Sequence, residues 1–331
     1  MKKKFHNIII AEIGSNHNGS VLLAKKHILS AKKAGADYVK FQMHIAEEES
    51  LKNAPSPDYF NKEDRFSYFK RINFNFENWK KLKNYCKAKK IGFLCSPFSI
   101  KAVDVLEKLN VELYKVPSGE LTNLPLIQRL KKTKKHVILS TGMSDYNEID
   151  QAAKILKKNF SILQCTSMYP CPITKVGLNV FNSLKKKYKC EIGYSDHTLD
   201  FSSAFAFAAN GASIIEKHFT LSKKLYGSDA KHSMEKKEFN FYINTIKDIW
   251  AINKSFVDKD KLKKIRKMKK IFEKSIVTKD IIKKKTILRL KHLNFKKPGD
   301  GIRADMYKKI IGKKIKVELP KDTKLKYSHF Y

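Results

Sequence analysis

The sequence predicts an α/β fold, a (β/α)8 barrel followed by a small β-rich domain, and three observations predict it. Short β-branched or aromatic runs alternate with apolar stripes at helical spacing, the alternation repeats eight times, and it stops near residue 250. In chain order the units pair strand 7–14 with helix 21–34, 38–42 with 78–89, 92–96 with 100–109, and 113–116 with 124–131. The second half pairs 136–140 with 148–156, 161–165 with 180–187, 191–194 with 201–209, and 213–217 with 239–252. Each strand run closes on a polar or glycine-containing turn, and each helix that follows keeps its apolar residues on one face. Eight such units in series imply a parallel sheet, and eight is the number that closes a barrel. An open, doubly wound sheet is the alternative. The barrel is expected over residues 1–255, a lysine-rich linker or connecting helix over 256–272, and the second domain over 273–331. That last segment has short β-like runs at 275–278, 286–288 and 314–317, broken by Pro298-Gly299-Asp300-Gly301.

Composition narrows the class. A chain of 331 residues with 42% hydrophobic and 31% charged residues is an ordinary globular protein, neither disordered nor membrane-embedded. Its formal charge of +37 is unusual, yet only six of the 69 basic residues are arginine: Arg65, Arg71, Arg129, Arg266, Arg289 and Arg303. Readers of nucleic acid favour arginine and gather charge in one element, whereas these lysines are scattered from end to end. A solvated lysine surface is expected, with no nucleic-acid or membrane partner; a polyanion-binding protein is the reading from a different class. Near the N-terminus the apolar run Ile8-Ile9-Ile10-Ala11 is interrupted by Glu12, well short of a signal or spanning segment, so a cytoplasmic location is expected. Five cysteines with no CxxC spacing argue for reduced thiols.

In a (β/α)8 barrel the reacting groups lie at the C-terminal ends of the strands. All eight strand ends here are polar. They are Glu12 with Ser15 to Gly19, Lys40 and Gln42, Ser96 to Ser99, Lys115 to Glu120, Ser140 to Met143, Thr166 to Pro170, Ser195 to Thr198, and Glu216 to Thr220. One such serine or threonine alone is most simply a helix cap; eight polar ends exceed what capping requires. Lysines in a barrel mouth are costly to bury without an anion, so Lys40 and Lys115 point to a bound phosphate or carboxylate. Ser118, Ser140 and Ser195 are placed to complete that pocket. A Schiff-base lysine, as in barrel aldolases, is the competing role. His197 and His218, on adjacent strands, are candidates for one divalent metal with open positions, against the simpler reading of hydrogen-bonded core histidines.

The run Ile10 to Gly19, Val39 to Gln42, Lys115 to Glu120, Leu139 to Met143, Gly193 to Thr198 and Ile215 to Thr220 resembles, in order and spacing, the N-acetylneuraminate (sialic acid) synthase family, which includes legionaminic and pseudaminic acid synthases. Ser275-Ile276-Val277, Lys296 to Ile302 and Ile311 to Lys314 resemble that family's C-terminal antifreeze-like (SAF) domain. The resemblance implies a barrel with a cap domain, in a homodimer whose caps reach over the partner's barrel. It implies condensation of phosphoenolpyruvate with open-chain N-acetylmannosamine to N-acetylneuraminate and phosphate, with Mn²⁺ or Mg²⁺ required. A legionaminic or pseudaminic acid synthase, acting on a 2,4-diacetamido hexose, is the alternative. Ser118-Gly119-Glu120 and the segment 44–49 look closer to the neuraminate branch than to the pseudaminate one.

Carried over by residue, the resemblance makes His197 and His218 the metal ligands. Lys40, Ser96, Lys115, Ser118, Ser140, Ser167 and Ser195 become the phosphoenolpyruvate site, and Glu12, Gln42, Asn61, Tyr169, Asp229 and Lys297 the sugar site. Glu120, with Glu12, is the catalytic carboxylate, stabilising the positive centre that forms or managing the proton of the incoming water. Two positions depart from the family. Lys297 stands where the cap usually offers an arginine, keeping the charge without the planar fork, and Ser167 stands where one branch has asparagine.

Overall fold

The computed structural model describes residues 5–56, 63–261 and 265–331. The chain divides into two compact units, Met1–Lys254 and Ser255–Tyr331.

The first unit is a (β/α)8 barrel. Strands β1 (Ile8–Gly14), β2 (Tyr38–Met43), β3 (Gly92–Pro97), β4 (Leu113–Val116), β5 (His136–Ser140), β6 (Phe160–Gln164), β7 (Ile192–Asp196) and β8 (Ile214–His218) form one parallel sheet. Its order is β3-β2-β1-β8-β7-β6-β5-β4, and β3 and β4 lie side by side to close it. Helix α1 (Val21–Ala34) follows β1, and after β2 come α2 (Ala46–Glu49), α3 (Arg65–Ile72) and α4 (Phe76–Ala88). The remaining strands are followed in turn by α5 (Ile100–Lys108), α6 (Leu124–Lys132), α7 (Tyr146–Leu156), α8 (Leu178–Lys187), α9 (Ser202–Ala209) and α10 (Lys236–Lys254). Caps fix the helix starts, as when Ser99 Oγ accepts from the Ala102 N–H at 3.1 Å and Asp145 forms a capping box with Glu148. For Ser99 the plain capping role therefore holds.

Two residues per strand repeat carry the packing logic. One set faces the helices and joins the large core with Phe181, Phe207, Phe239 and Trp250. The other set faces the barrel axis, where Ile10, Leu94, Leu113, Ile138, Leu163 and Ile214 make an apolar floor. Gly193 fits between Leu163 and Ile214, where any Cβ would collide. Two residues further along, the inward position becomes polar on every strand except β6, which has Cys165: Glu12, Lys40, Ser96, Lys115, Ser140, Ser195 and Glu216. The fold thus builds a dry base and a polar mouth from the same alternation.

The second unit contains α11 (Ile265–Phe272), the antiparallel pair β9 (Ser275–Thr278) and β10 (Leu293–Lys296), and α12 (Tyr307–Ile310). Its own core gathers Ile276, Ile282, Leu288, Ile310, Ile315 and Leu325. The β-like runs read at 286–288 and 314–317 meet through a single bridge, Ile287 to Lys314. No helix among the described residues is long and apolar enough to cross a membrane, and all five cysteines are free.

Candidate active site

A cavity of about 540 Å³ opens at the C-terminal ends of the strands. Its wall includes thirteen of the residues singled out from sequence: Glu12, Lys40, Gln42, Lys115, Ser118, Glu120, Ser140, Ser167, Tyr169, Ser195, His197, His218 and Asp229. Ser96 sits behind this wall, touching Lys40 Nζ at 3.4 Å. Asn61 lies outside the described residues. Lys297 belongs to the second unit, where it is exposed and its ammonium stands 4.9 Å from the Phe272 ring centroid.

Deep in the cavity two lysines and two glutamates interlock. Lys40 Nζ is 3.1 Å from Glu12 Oε2 and 3.5 Å from Glu216 Oε1, and Lys115 Nζ is 3.6 Å from the same Glu216 oxygen. Lys115 donates to Ser140 Oγ at 2.6 Å, and Ser195 donates to Glu216 at 3.1 Å. Glu216, named from sequence only as part of a polar strand end, is thus the internal counter-charge of both lysines. The buried lysines do call for an anion, and a protein carboxylate already meets part of the demand. Strand alternation holds the missed signal: a residue two before an inward His218 is itself inward.

The four charges affect one another. Burial raises Glu12 to about 7, against the pull of Lys40, with Glu216 adding to the rise. Glu216 is buried too, but Lys115 and Lys40 overcome that and hold it near 2. Burial lowers Lys40, yet Glu12 and Glu216 outweigh it and the net direction is up; for Lys115 burial prevails and the direction is down. The pocket therefore has one firm carboxylate, one firm ammonium, and two groups whose charge yields more readily. Such a site can accept a phosphate or carboxylate by rebalancing protons instead of by leaving a bare charge.

Beside this cluster, Gln42 donates to Glu12 at 2.6 Å, and His44 Nε2 meets Gln42 Oε1 at 3.1 Å. The His44 ring is stacked between Phe69 and Phe98 and held by Glu49 at 2.9 Å. On another wall, Ser15 donates to Asp229 Oδ2 from both its N–H and its hydroxyl at 2.9 Å. Gly14 makes that approach possible, since it turns the chain at φ 51° and a Cβ there would strike the Asp229 carboxylate. Arg65, Tyr68 and Phe69 of α3, and His232, also reach the cavity and were not read from sequence. Glu120 is held by Asn123 at 2.8 Å, and burial raises its carboxyl above the usual range.

The two histidines face each other across β7 and β8 with ring centroids 5.7 Å apart. His197 Nδ1 lies 3.0 Å from the Thr166 carbonyl, which assigns a proton to that nitrogen, and Nε2 is 3.1 Å from the Tyr169 hydroxyl; burial lowers the ring, but Cys165 outweighs it and the net direction is up. His218 Nδ1 is buried with no hydrogen-bond partner, and burial lowers the ring to about 4, leaving it neutral near pH 7. A neutral imidazole with an orphaned ring nitrogen, as at His218, suits metal ligation. Among the described residues no set of three His, Cys, Asp or Glu is gathered to hold a metal. The donor set thus fits a cation that takes its other ligands from water or substrate.

The model of the NeuB family matches residues 27–258. The chain belongs to the NeuB family. N,N'-diacetyllegionaminic acid synthase of Campylobacter jejuni is 38% identical over 324 residues, covering 95% of this chain and 96% of that one. Human N-acetylneuraminate-9-phosphate synthase is 32% identical over 324 residues, with 95% and 90% covered. The crystal structure of the N-acetylneuraminic acid (sialic acid) synthetase of Leptospira borgpetersenii, in complex with citrate, aligns with a TM-score of 0.71 at 30% identity, over 79% of this chain and 91% of that one. This NeuB-family member is a phosphoenolpyruvate-dependent nonulosonic acid synthase, a transferase that forms a carbon–carbon bond.

Proposed function

We propose that this enzyme condenses phosphoenolpyruvate with the open-chain form of a 2,4-diacetamido hexose, releasing inorganic phosphate and a legionaminic-type nonulosonic acid. The observation that carries the choice of sugar is the 38% identity to a legionaminic acid synthase along nearly the whole chain, against 32% to the human neuraminate enzyme. This moves the alternative from the sequence reading ahead of N-acetylneuraminate synthesis from N-acetylmannosamine. Offering phosphoenolpyruvate with a panel of mono- and diacetamido hexoses and weighing the products by mass spectrometry tests it. Preferential turnover of N-acetylmannosamine would restore the first reading.

In this reading Lys40, Lys115, Ser96, Ser118, Ser140, Ser167 and Ser195 hold the carboxylate and phosphate of phosphoenolpyruvate. Glu12, Gln42, Tyr169 and Asp229 orient the sugar, and Asn61 and Lys297 complete its site. The methylene carbon attacks the aldehyde carbon, forming the new bond and leaving a positive centre at the carbon that carries phosphate. Water adds to that centre, and loss of phosphate leaves the 2-keto acid. Glu120, raised by burial, is suited to take or return the water's proton. His197 and His218 would hold a divalent cation, which would polarise the aldehyde oxygen when bound. Two imidazole donors favour Mn²⁺ over Mg²⁺, which prefers an all-oxygen shell.

The second unit is read as an antifreeze-like cap, since the motif residues 275–277 and 296–302 fall on and around its two strands. A homodimer in which each cap serves the partner's barrel, in the cytoplasm, completes the proposal. Five free cysteines accord with a reducing compartment.

A further inference from the structure

Each proposed metal ligand is preceded by a charged residue: Asp196 before His197, Lys217 before His218. Successive side chains of a strand point to opposite faces, so while the histidines look into the cavity their predecessors look into the layer beneath α9 and α10. There Lys217 Nζ lies 3.1 Å from Asp196 Oδ2, with side chains only 1% and 0% exposed. β7 and β8 pair these two residues directly in register.

The carboxylate is saturated. Asp196 Oδ1 accepts from the Thr198 N–H at 2.9 Å, the Thr198 hydroxyl at 2.8 Å and Ser203 at 3.2 Å. Oδ2 accepts from the Tyr242 hydroxyl at 3.1 Å. Lys217 also donates to the Thr198 carbonyl. Both neighbours of His197 in the chain, and the residue before His218, are therefore tied to one point.

Neither Asp196 nor Lys217 lines the cavity, and no chemical step uses them. Nor is stability a sufficient reason for the pair, because well-packed apolar residues of similar volume serve a buried layer as well or better. We propose that the buried Asp196–Lys217 pair is a positioning device: it locks the ends of β7 and β8 together so that the His197 and His218 rings hold the spacing and aim needed to share one divalent cation. This rests on the metal reading of the two histidines.

The test uses the full-length, metal-free protein and three variants: Asp196→Asn, Lys217→Met, and the double variant. Urea unfolding gives stability, and calorimetric titration gives affinity for Mn²⁺ and, separately, for phosphoenolpyruvate. Each single variant leaves a buried charge unpaired and should be less stable; the double variant, with both charges gone, should recover most of that loss. Mn²⁺ affinity should nonetheless stay down in all three, by about 10- to 100-fold, the scale of a lost supporting contact. Phosphoenolpyruvate affinity should stay within about twofold, by the additivity expected of separate networks. A double variant that regains Mn²⁺ affinity together with stability would reduce the pair to a packing role and overturn the inference, as would single variants that bind Mn²⁺ like the parent. If the single variants do not fold, the double variant decides, supported by Tyr242→Phe, which removes one donor from Asp196 and should weaken Mn²⁺ binding in the same direction. A parent protein that binds no Mn²⁺ overturns the metal reading, and this inference with it. A parent that binds while the double variant binds equally well overturns this inference alone.

Discussion

Replacing Glu216 by glutamine isolates the charge balance at the bottom of the cavity. The amide keeps the shape and can still accept from Ser195, but Lys40 and Lys115 lose the carboxylate they share at 3.5 and 3.6 Å. At an effective dielectric of about 20, each of those contacts is worth roughly 5 kcal/mol of Coulomb attraction. Removing one member of a buried pair costs about 3–5 kcal/mol in practice, since its own desolvation is recovered. An independent ceiling comes from the escape route, deprotonation of one lysine. Moving an unperturbed lysine from a pKa near 10.4 to pH 7, at about 1.4 kcal/mol per unit, costs about 5 kcal/mol. Lys115, already lowered by burial, is the group that would yield. Its folded pKa then lies below the unfolded one, so the variant's deficit is largest at low pH and shrinks as pH rises, to about 2 kcal/mol at pH 9. Urea unfolding of parent and Glu216→Gln in parallel at pH 7, 8 and 9 measures this. Saturating inorganic phosphate or phosphoenolpyruvate should stabilise the variant more than the parent, because the anion replaces the missing carboxylate. A variant as stable as the parent, or a deficit that grows with pH, would refute the reasoning.

Four further outcomes are expected. Glu120→Gln should keep phosphoenolpyruvate affinity while turnover falls by roughly a hundredfold or more; parallel loss of both would mark a structural role. Chelator should abolish turnover and Mn²⁺ restore it, and His218→Ala should not respond to the same metal; full activity of His197→Ala and His218→Ala would remove the metal assignment. His232, whose Nε2 is buried on the cavity wall with no hydrogen-bond partner, should contribute to the sugar, so His232→Ala should raise the sugar's KM and leave that of phosphoenolpyruvate unchanged. Full-length Lys297→Ala mixed with His218→Ala should recover activity on subunit exchange if each cap serves the partner's barrel, and no recovery despite exchange would contradict that arrangement.

The barrel was legible because its strands are short apolar runs between turns, and its helices carry one apolar face. Observed and expected boundaries differ by a few residues: helix 21–34 is unchanged, while the strand read at 161–165 lies at Phe160–Gln164. The insertion between β2 and α4 was not resolved into elements from sequence. Its helix α3 is short, and in Phe66, Tyr68 and Phe69 it carries aromatic residues that favour strands as much as helices. Asp64, which caps it by accepting from Ser67 N–H at 2.9 Å, was the available start signal. Missing α3 hid Arg65, Tyr68 and Phe69 from the list of cavity residues.

Within the site, reading strand ends as blocks found where the chemistry sits but not which way each side chain points. Alternation supplies the direction once one residue is fixed. If His218 looks inward, Glu216 does too and Lys217 looks outward; if His197 looks inward, Ser195 joins it and Asp196 turns away. The block Glu216-Lys217-His218 therefore serves two networks on opposite faces of one strand, and so does Ser195-Asp196-His197. What alternation cannot supply is the partner across the sheet. Lys40 finds Glu216 across two strand boundaries, and Lys217 finds Asp196 across one, because the closed barrel and its register bring them level. The need of a buried lysine for an anion is local chemistry and can be read from one residue; whether substrate or protein meets it depends on closure of the whole sheet. In this barrel the protein meets it fully for Lys217, which leaves that lysine no opening for a ligand. It meets it only in part for Lys40 and Lys115, one of whose carboxylates, Glu12, is raised to about 7. That difference, more than the presence of lysine, separates the residue suited to hold the frame from those suited to receive an anionic substrate.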